Sequence, residues 1–75
     1  MEIKHMANTY TAVTKQDGAW WIGWIEEVPG VNCQEETREK LIESLRVTLR
    51  EALDFNRQDA VAAAVSDYTE EPVTV

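Results

Sequence analysis

Aromatic and β-branched residues are concentrated in the first part of the chain, and this composition favours strands. Residues 9–15, rich in Thr, Tyr and Val, predict a first strand, and residues 19–25 predict its partner. Between them, Gln16-Asp17-Gly18 favours a hairpin turn, because an Asp-Gly pair tolerates positive φ. We therefore expect an antiparallel hairpin, preceded by a loose arm over residues 1–7.

The second predicted strand is apolar on both faces. Because side chains alternate across a strand, Trp20, Ile22 and Trp24 share one face, while Trp21, Gly23 and Ile25 share the other. After it, a turn at Pro29-Gly30 leads into a short third strand over residues 31–34. One helix covers only one face of a three-stranded sheet. The sequence therefore predicts a second face, or an edge, that needs a cover.

From Thr37 onward the apolar residues recur at spacings of three and four, which predicts one amphipathic helix. Thr37 suits the N-cap, because its hydroxyl oxygen accepts a bond from a free backbone N–H. We expect this helix to end near Asn56, a residue that tolerates the left-handed conformation after a helix. The apolar stripe consists of Leu41, Ile42, Leu45, Leu49, Ala52 and Leu53.

Two continuations stay open after Asn56. Residues 60–67 predict a short second helix, but the main helix could equally run on, since no Gly or Pro occurs between Val31 and Glu71. Residues 73–75 read Val-Thr-Val and favour an edge strand, in this chain or in a neighbouring one. The predicted fold class is α+β, a three-stranded antiparallel sheet packed on one long helix, with residues 8–75 as a single domain.

Composition narrows the classes of function. The chain has 75 residues, fourteen acids and seven bases, and a net charge of −7. Phosphate-backbone binding depends on Lys and Arg, so we expect no direct nucleic-acid binding. An acidic chain is better suited to a cationic protein, although its charge could equally serve solubility alone. The sequence shows neither a secretory leader nor an apolar run of membrane-spanning length, and we expect a cytoplasmic protein.

The residue types that support catalysis are sparse, and we expect no enzyme, cofactor or metal site. Cys33 is the only cysteine and His5 the only histidine, so neither a disulfide nor a zinc framework is expected. We interpret Cys33 as a small strand residue and His5 as an idle exposed side chain. Two-metal hydrolysis needs converging carboxylates, and the first predicted strand contains none.

The order of elements and turns resembles the HicB-like antitoxin family. The resemblance covers Tyr10 to Phe55, about three fifths of the chain. The residues that carry it form five short segments: Tyr10-Thr11-Ala12-Val13, Asp17-Gly18, Trp21-Ile22-Gly23-Trp24, Glu27-Val28-Pro29-Gly30-Val31 and Glu36-Thr37-Arg38-Glu39.

The resemblance implies a β-β-β-α-β arrangement similar to a reduced ribonuclease-H-like fold. It also implies a partner, a small basic RNA-degrading toxin of the HicA-like kind that the antitoxin masks in a type II toxin-antitoxin system. Many members of the family carry a C-terminal DNA-binding domain. This chain departs from that pattern, because the twenty or so residues after Asn56 are too few for a helix-turn-helix.

Two groups of residues are candidates for partner binding. The tryptophans supply large rigid anchors, and the glutamates that flank the third strand form the densest acidic run in the sequence. The alternative is that the tryptophans belong to the core and the glutamates are solvated turn charges. A second hypothesis is a homo-oligomeric structural or adaptor module without a toxin. The candidate residues are Trp20, Trp21, Trp24, Glu26, Glu27, Glu35 and Glu36.

Overall fold

The computed structural model of the chain describes residues 9–75. The strands are β1 (Ala12–Asp17), β2 (Trp20–Ile25) and β3 (Asn32–Glu35), and one long helix, α1 (Arg38–Ala64), follows. The α+β prediction is confirmed. The predicted arm over residues 1–7, with His5, lies outside the described residues.

The three strands form one antiparallel sheet in the order β1-β2-β3, with β2 in the centre. Asp17 pairs with Trp20, so the hairpin loop consists of Gly18 and Ala19, one residue later than the turn that the sequence predicts. Gly18 has φ 64°. A glycine at the first position of a two-residue loop gives the backbone twist that matches the flanking strands.

The helix begins as the sequence predicts. Thr37 has an extended backbone, and its Oγ1 accepts a hydrogen bond from the Lys40 backbone N–H at 3.1 Å. This bond satisfies one of the N–H groups that the first turn leaves without a helical partner.

The predicted end near Asn56 and the short second helix are wrong, whereas the alternative that the main helix runs on past Asn56 is confirmed, because α1 continues to Ala64. Residues 60–64 read Ala-Val-Ala-Ala-Ala, and alanine is the strongest helix former. Val65 then ends the helix with φ 68°, and the chain turns back until Arg57 and Glu70 form an ion pair of 2.8 Å. Residues 73–75 do not join the sheet as an edge strand within the described chain.

The hydrophobic core is small and lies between one face of the sheet and the first half of α1. Four hydrophobic side chains are buried, Ile25, Val31, Leu41 and Leu45, and the two leucines are fully so. A helix of 27 residues spans about 40 Å, whereas six-residue strands span only about 20 Å. The second half of α1 therefore extends beyond the sheet.

Candidate functional site

The two faces of β2 have different surroundings. A Cβ atom placed on Gly23 would lie 3.1 Å from Leu41 Cδ2 and 3.3 Å from Leu45 Cδ1, so Gly23 faces the helix. Ile25 is buried, and Trp21 packs against the core. The face that carries Trp21, Gly23 and Ile25 is thus the one that α1 covers.

We call the opposite side of the sheet the open face. Cross-strand pairs in an antiparallel sheet share a face, so the pairing of β2 with its neighbours defines it. Trp20 is 44% exposed and Trp24 is 40% exposed. The open face consists of Val13, Lys15 and Asp17 in β1, Trp20, Ile22 and Trp24 in β2, and Asn32 and Gln34 in β3.

The open face exposes part of the apolar surface of its two tryptophans. A fully exposed tryptophan presents about 250 Å², so Trp20 and Trp24 together expose roughly 200 Å². Contiguous apolar patches of a few hundred Å² on a small protein mark interaction sites more often than scattered surface residues do. The helix covers one face of the sheet and leaves the other exposed, and the need for a cover over that second face stays a prediction.

The glutamates that lie close in sequence do not form one cluster in space. In the register of β2 and β3, Trp24 pairs with Asn32 and Trp21 pairs with Glu35. Glu26 and Glu27 therefore lie at one end of the sheet, and Glu35 and Glu36 lie at the other. The two pairs are separated by about four residues of strand, or roughly 13 Å.

Three of these four glutamates have structural partners. Glu27 Oε1 accepts a hydrogen bond from the Thr11 backbone N–H at 2.8 Å, and this bond holds the pKa of Glu27 below its usual value of 4.5. Glu35 Oε2 accepts from Ser44 Oγ on the helix at 2.5 Å. Glu36 forms an ion pair of 3.6 Å with Lys40.

Glu26 differs from the other three glutamates. Its backbone N–H donates to the Thr11 carbonyl at 2.9 Å, which fixes its position beyond the end of β2. It lies in the turn that follows β2, two residues after Trp24. Within residues 9–75 its exposed carboxylate makes no hydrogen bond or ion pair.

Negative charge is distributed unevenly over the chain. The helix contains five acids and five bases and is therefore neutral overall. The strands and turns over residues 9–37 contain five acids and one base, and residues 65–75 contain three acids and no base. The net charge of the described residues comes from the sheet and the tail, and not from the outer face of the helix.

Cys33 is half-buried, and its Sγ lies 3.5 Å from Thr48 Oγ1, a contact that connects β3 to the helix. In residues 9–75, no group of three or more His, Cys, Asp or Glu side chains is arranged to hold a metal ion. No helix in that part of the chain is long and apolar enough to cross a membrane.

The chain matches no family model, no curated protein and no solved structure.

Proposed function

We propose that this chain is a non-catalytic antitoxin-like protein that binds and neutralises a small basic RNA-degrading toxin. The distribution of charge carries the proposal. The acidic excess lies at the ends of the sheet and in the tail. At one end of the sheet, Glu26 has a backbone fixed by a hydrogen bond and an exposed carboxylate. A cationic protein that approaches these surfaces gains attraction that the neutral outer face of the helix does not offer.

The resemblance of residues 10–55 to HicB-like antitoxins gives the class of partner. The strand, turn and helix order that carries this resemblance is present as β1, β2, β3 and α1. A type II toxin of this kind is small and basic, which suits a chain with a net charge of −7. Steering by charge raises association rates more than it raises equilibrium affinity.

A second candidate is a homo-oligomeric module, and the open face favours it. Its strands carry one base, Lys15, and one acid, Asp17, and are otherwise uncharged. Two copies can therefore pack against each other through the open face without strong repulsion. The centre of that face offers little negative charge to attract a basic partner. The two candidates concern different surfaces, and both can hold for the same protein.

The test of the toxin proposal is a comparison of two charge reversals. We expect Glu26→Lys to slow association with a captured basic partner about threefold to tenfold at low salt, and the difference to vanish near 0.5 M salt, where charges are screened within a few ångströms. Glu26 is preferred to Glu27, because reversal of Glu27 would also remove the bond to Thr11.

Glu51→Lys is the matched control. It makes the same change in net charge at an exposed position on the balanced helix. We expect its association rate to stay within about twofold of the wild-type rate. Equal rates for all three proteins at low salt would contradict the proposed role of Glu26.

A further inference from the structure

The open face is a continuous surface without a cover among residues 9–75. It spans about 20 Å along the strands and about 14 Å across them, from the usual spacings within a sheet. Val13, Ile22 and Trp24 form its apolar centre, with Trp20 toward the hairpin end. The helix cannot reach it, because α1 packs on the opposite side, against Gly23.

Charge favours a second copy as the occupant. An acidic protein with a net charge of −7 normally repels itself, but Lys15 and Asp17 balance each other on this face. The polar residues at its β3 side, Asn32 and Gln34, are uncharged. The open face is thus the part of the sheet where two copies approach each other at least electrostatic cost.

The two tryptophans supply part of the area that a dimer interface needs. Trp20 and Trp24 from two copies contribute roughly 400 Å² of exposed surface, out of the approximately 1,000 Å² that a specific interface needs. The remainder comes from Val13, Lys15 and Ile22 and from the polar residues of β3. Two sheets that pack face to face lie about 10 Å apart, close enough for their aromatic side chains to interdigitate.

We propose that the open face is the interface of a homodimer in which two sheets pack face to face. Dimerisation completes a two-sided cover for β2, with α1 on one face and the partner's sheet on the other. The helices and the tails then lie on the outside of the dimer. The dimer carries two sets of acidic sheet ends and so presents twice the negative charge of one chain to a basic partner.

The primary test is analytical ultracentrifugation of the untagged full chain from about 1 to about 100 μM, because self-association depends on protein concentration. We expect the wild-type protein to reach the dimer mass in this range, and Trp20→Thr/Trp24→Thr to weaken association about a hundredfold or more. Threonine keeps strand propensity while it removes the aromatic anchors.

Phe55→Gln is the matched control, since Phe55 is 67% exposed on the helix, away from the open face. We expect its dimerisation to equal that of the wild-type protein. Circular dichroism must show that each variant retains its helix. A wild-type protein that stays monomeric at the highest concentration overturns the proposal, as does a folded double variant that dimerises like the wild type.

Lys15→Glu provides a second test that leaves the apolar centre intact. The exposed Lys15 lies on an edge strand, so its replacement should not prevent folding. We expect the dimer to weaken at least about fivefold at low salt and to recover partly as salt rises, because the face then carries only negative charges. Arg50→Glu on the helix makes the same charge change and should leave dimerisation within about twofold. An unchanged dimer in Lys15→Glu overturns the proposed interface.

This inference and the toxin proposal can fail separately. The tryptophan double variant tests self-association, whereas the Glu26 reversal tests recognition of a basic partner. A dimer that forms through the open face without any basic partner in the cell would support the inference and contradict the proposed antitoxin function.

Discussion

Helix and sheet approach each other closely at Gly23, and Gly23→Ala tests this packing directly. An alanine Cβ there would lie 2.8 Å from the Val13 carbonyl oxygen, 3.1 Å from Leu41 Cδ2 and 3.3 Å from Leu45 Cδ1. The leucine methyl groups can move by a few tenths of an ångström. The Val13 oxygen belongs to the neighbouring strand, so relief of that contact requires a shift of β1.

Two effects of opposite sign determine the magnitude. Overpacking of a well-filled core costs about 1–3 kcal/mol. Replacement of glycine by alanine raises the free energy of unfolding by about 0.4–1 kcal/mol, because alanine has fewer conformations in the unfolded chain. We therefore expect a net loss of up to about 2.6 kcal/mol in the free energy of unfolding, with a central value of about 1.3 kcal/mol. For a domain of this size, the central value lowers the Tm by about 5–10 °C.

The assay is urea denaturation followed by circular dichroism, at one fixed protein concentration, because self-association would make stability depend on concentration. The urea concentration at the midpoint of unfolding should fall, while the slope of the unfolding free energy against urea concentration stays unchanged. If Gly23→Ala were more stable than the wild-type protein, the close packing of the helix against this face of β2 would be refuted, and the assignment of the open face with it.

Two further stability predictions concern single hydrogen bonds. Thr37→Ala should lower the free energy of unfolding by about 1 kcal/mol in urea denaturation, because it removes the Oγ1 that accepts from the Lys40 N–H. Thr37→Ser keeps a hydroxyl and should retain most of that stability. Equal losses in both variants would exclude the cap as the cause. The hydrogen bond from Thr11 lowers the pKa of Glu27 in the folded state. The ionised Glu27 carboxylate therefore stabilises the fold above pH 4.5, and this stabilisation is lost as the pH falls through the lowered folded-state pKa. A pH series of urea midpoints should therefore show a smaller loss below pH 4.5 in Glu27→Gln than in the wild-type protein, and identical acid profiles would contradict this role.

Much of the fold could be predicted from local sequence signals. The Asp-Gly pair, the aromatic strand and the Thr37 cap each determine short-range geometry, and the hairpin and the helix start are present accordingly. The strand limits differ by one to three residues, since β1 begins at Ala12 rather than at residue 9. Strand limits depend on which residues find partners across the sheet, and a local pattern does not contain that information.

The end of the helix was harder to predict, because Asn56 suggests a C-cap only when the chain has a reason to turn there. Residues beyond it have high helix propensity, and no glycine or proline interrupts them, so the helix continues. The exposure of Phe55 and the neighbouring residues shows that tertiary packing does not determine this extension. Local propensity outweighed a single residue with left-handed tendency.

The candidate site could be predicted only in part. Alternation along β2 separated Trp21 from Trp20 and Trp24, but only the packing of Leu41 and Leu45 shows which face is covered. Closeness in sequence predicts one acidic cluster, whereas the antiparallel register places Glu26 and Glu27 at one end of the sheet and Glu35 and Glu36 at the other. The bonds of Glu27 to Thr11 and of Glu35 to Ser44 join residues 16 and 9 positions apart, and no sequence period indicates such contacts.

Growth rescue with a captured partner tests the proposed antitoxin function most directly. The tagged chain is first used to isolate a small basic protein that salt releases, with Glu26→Lys and Glu51→Lys baits in parallel. That protein is then expressed alone and together with this chain. We predict that alone it arrests growth and degrades RNA, that the wild-type chain restores growth, and that Glu26→Lys restores it less well than Glu51→Lys. Capture of the chain's own copies alone, or a basic partner whose expression leaves growth and RNA intact, would contradict the proposed antitoxin function.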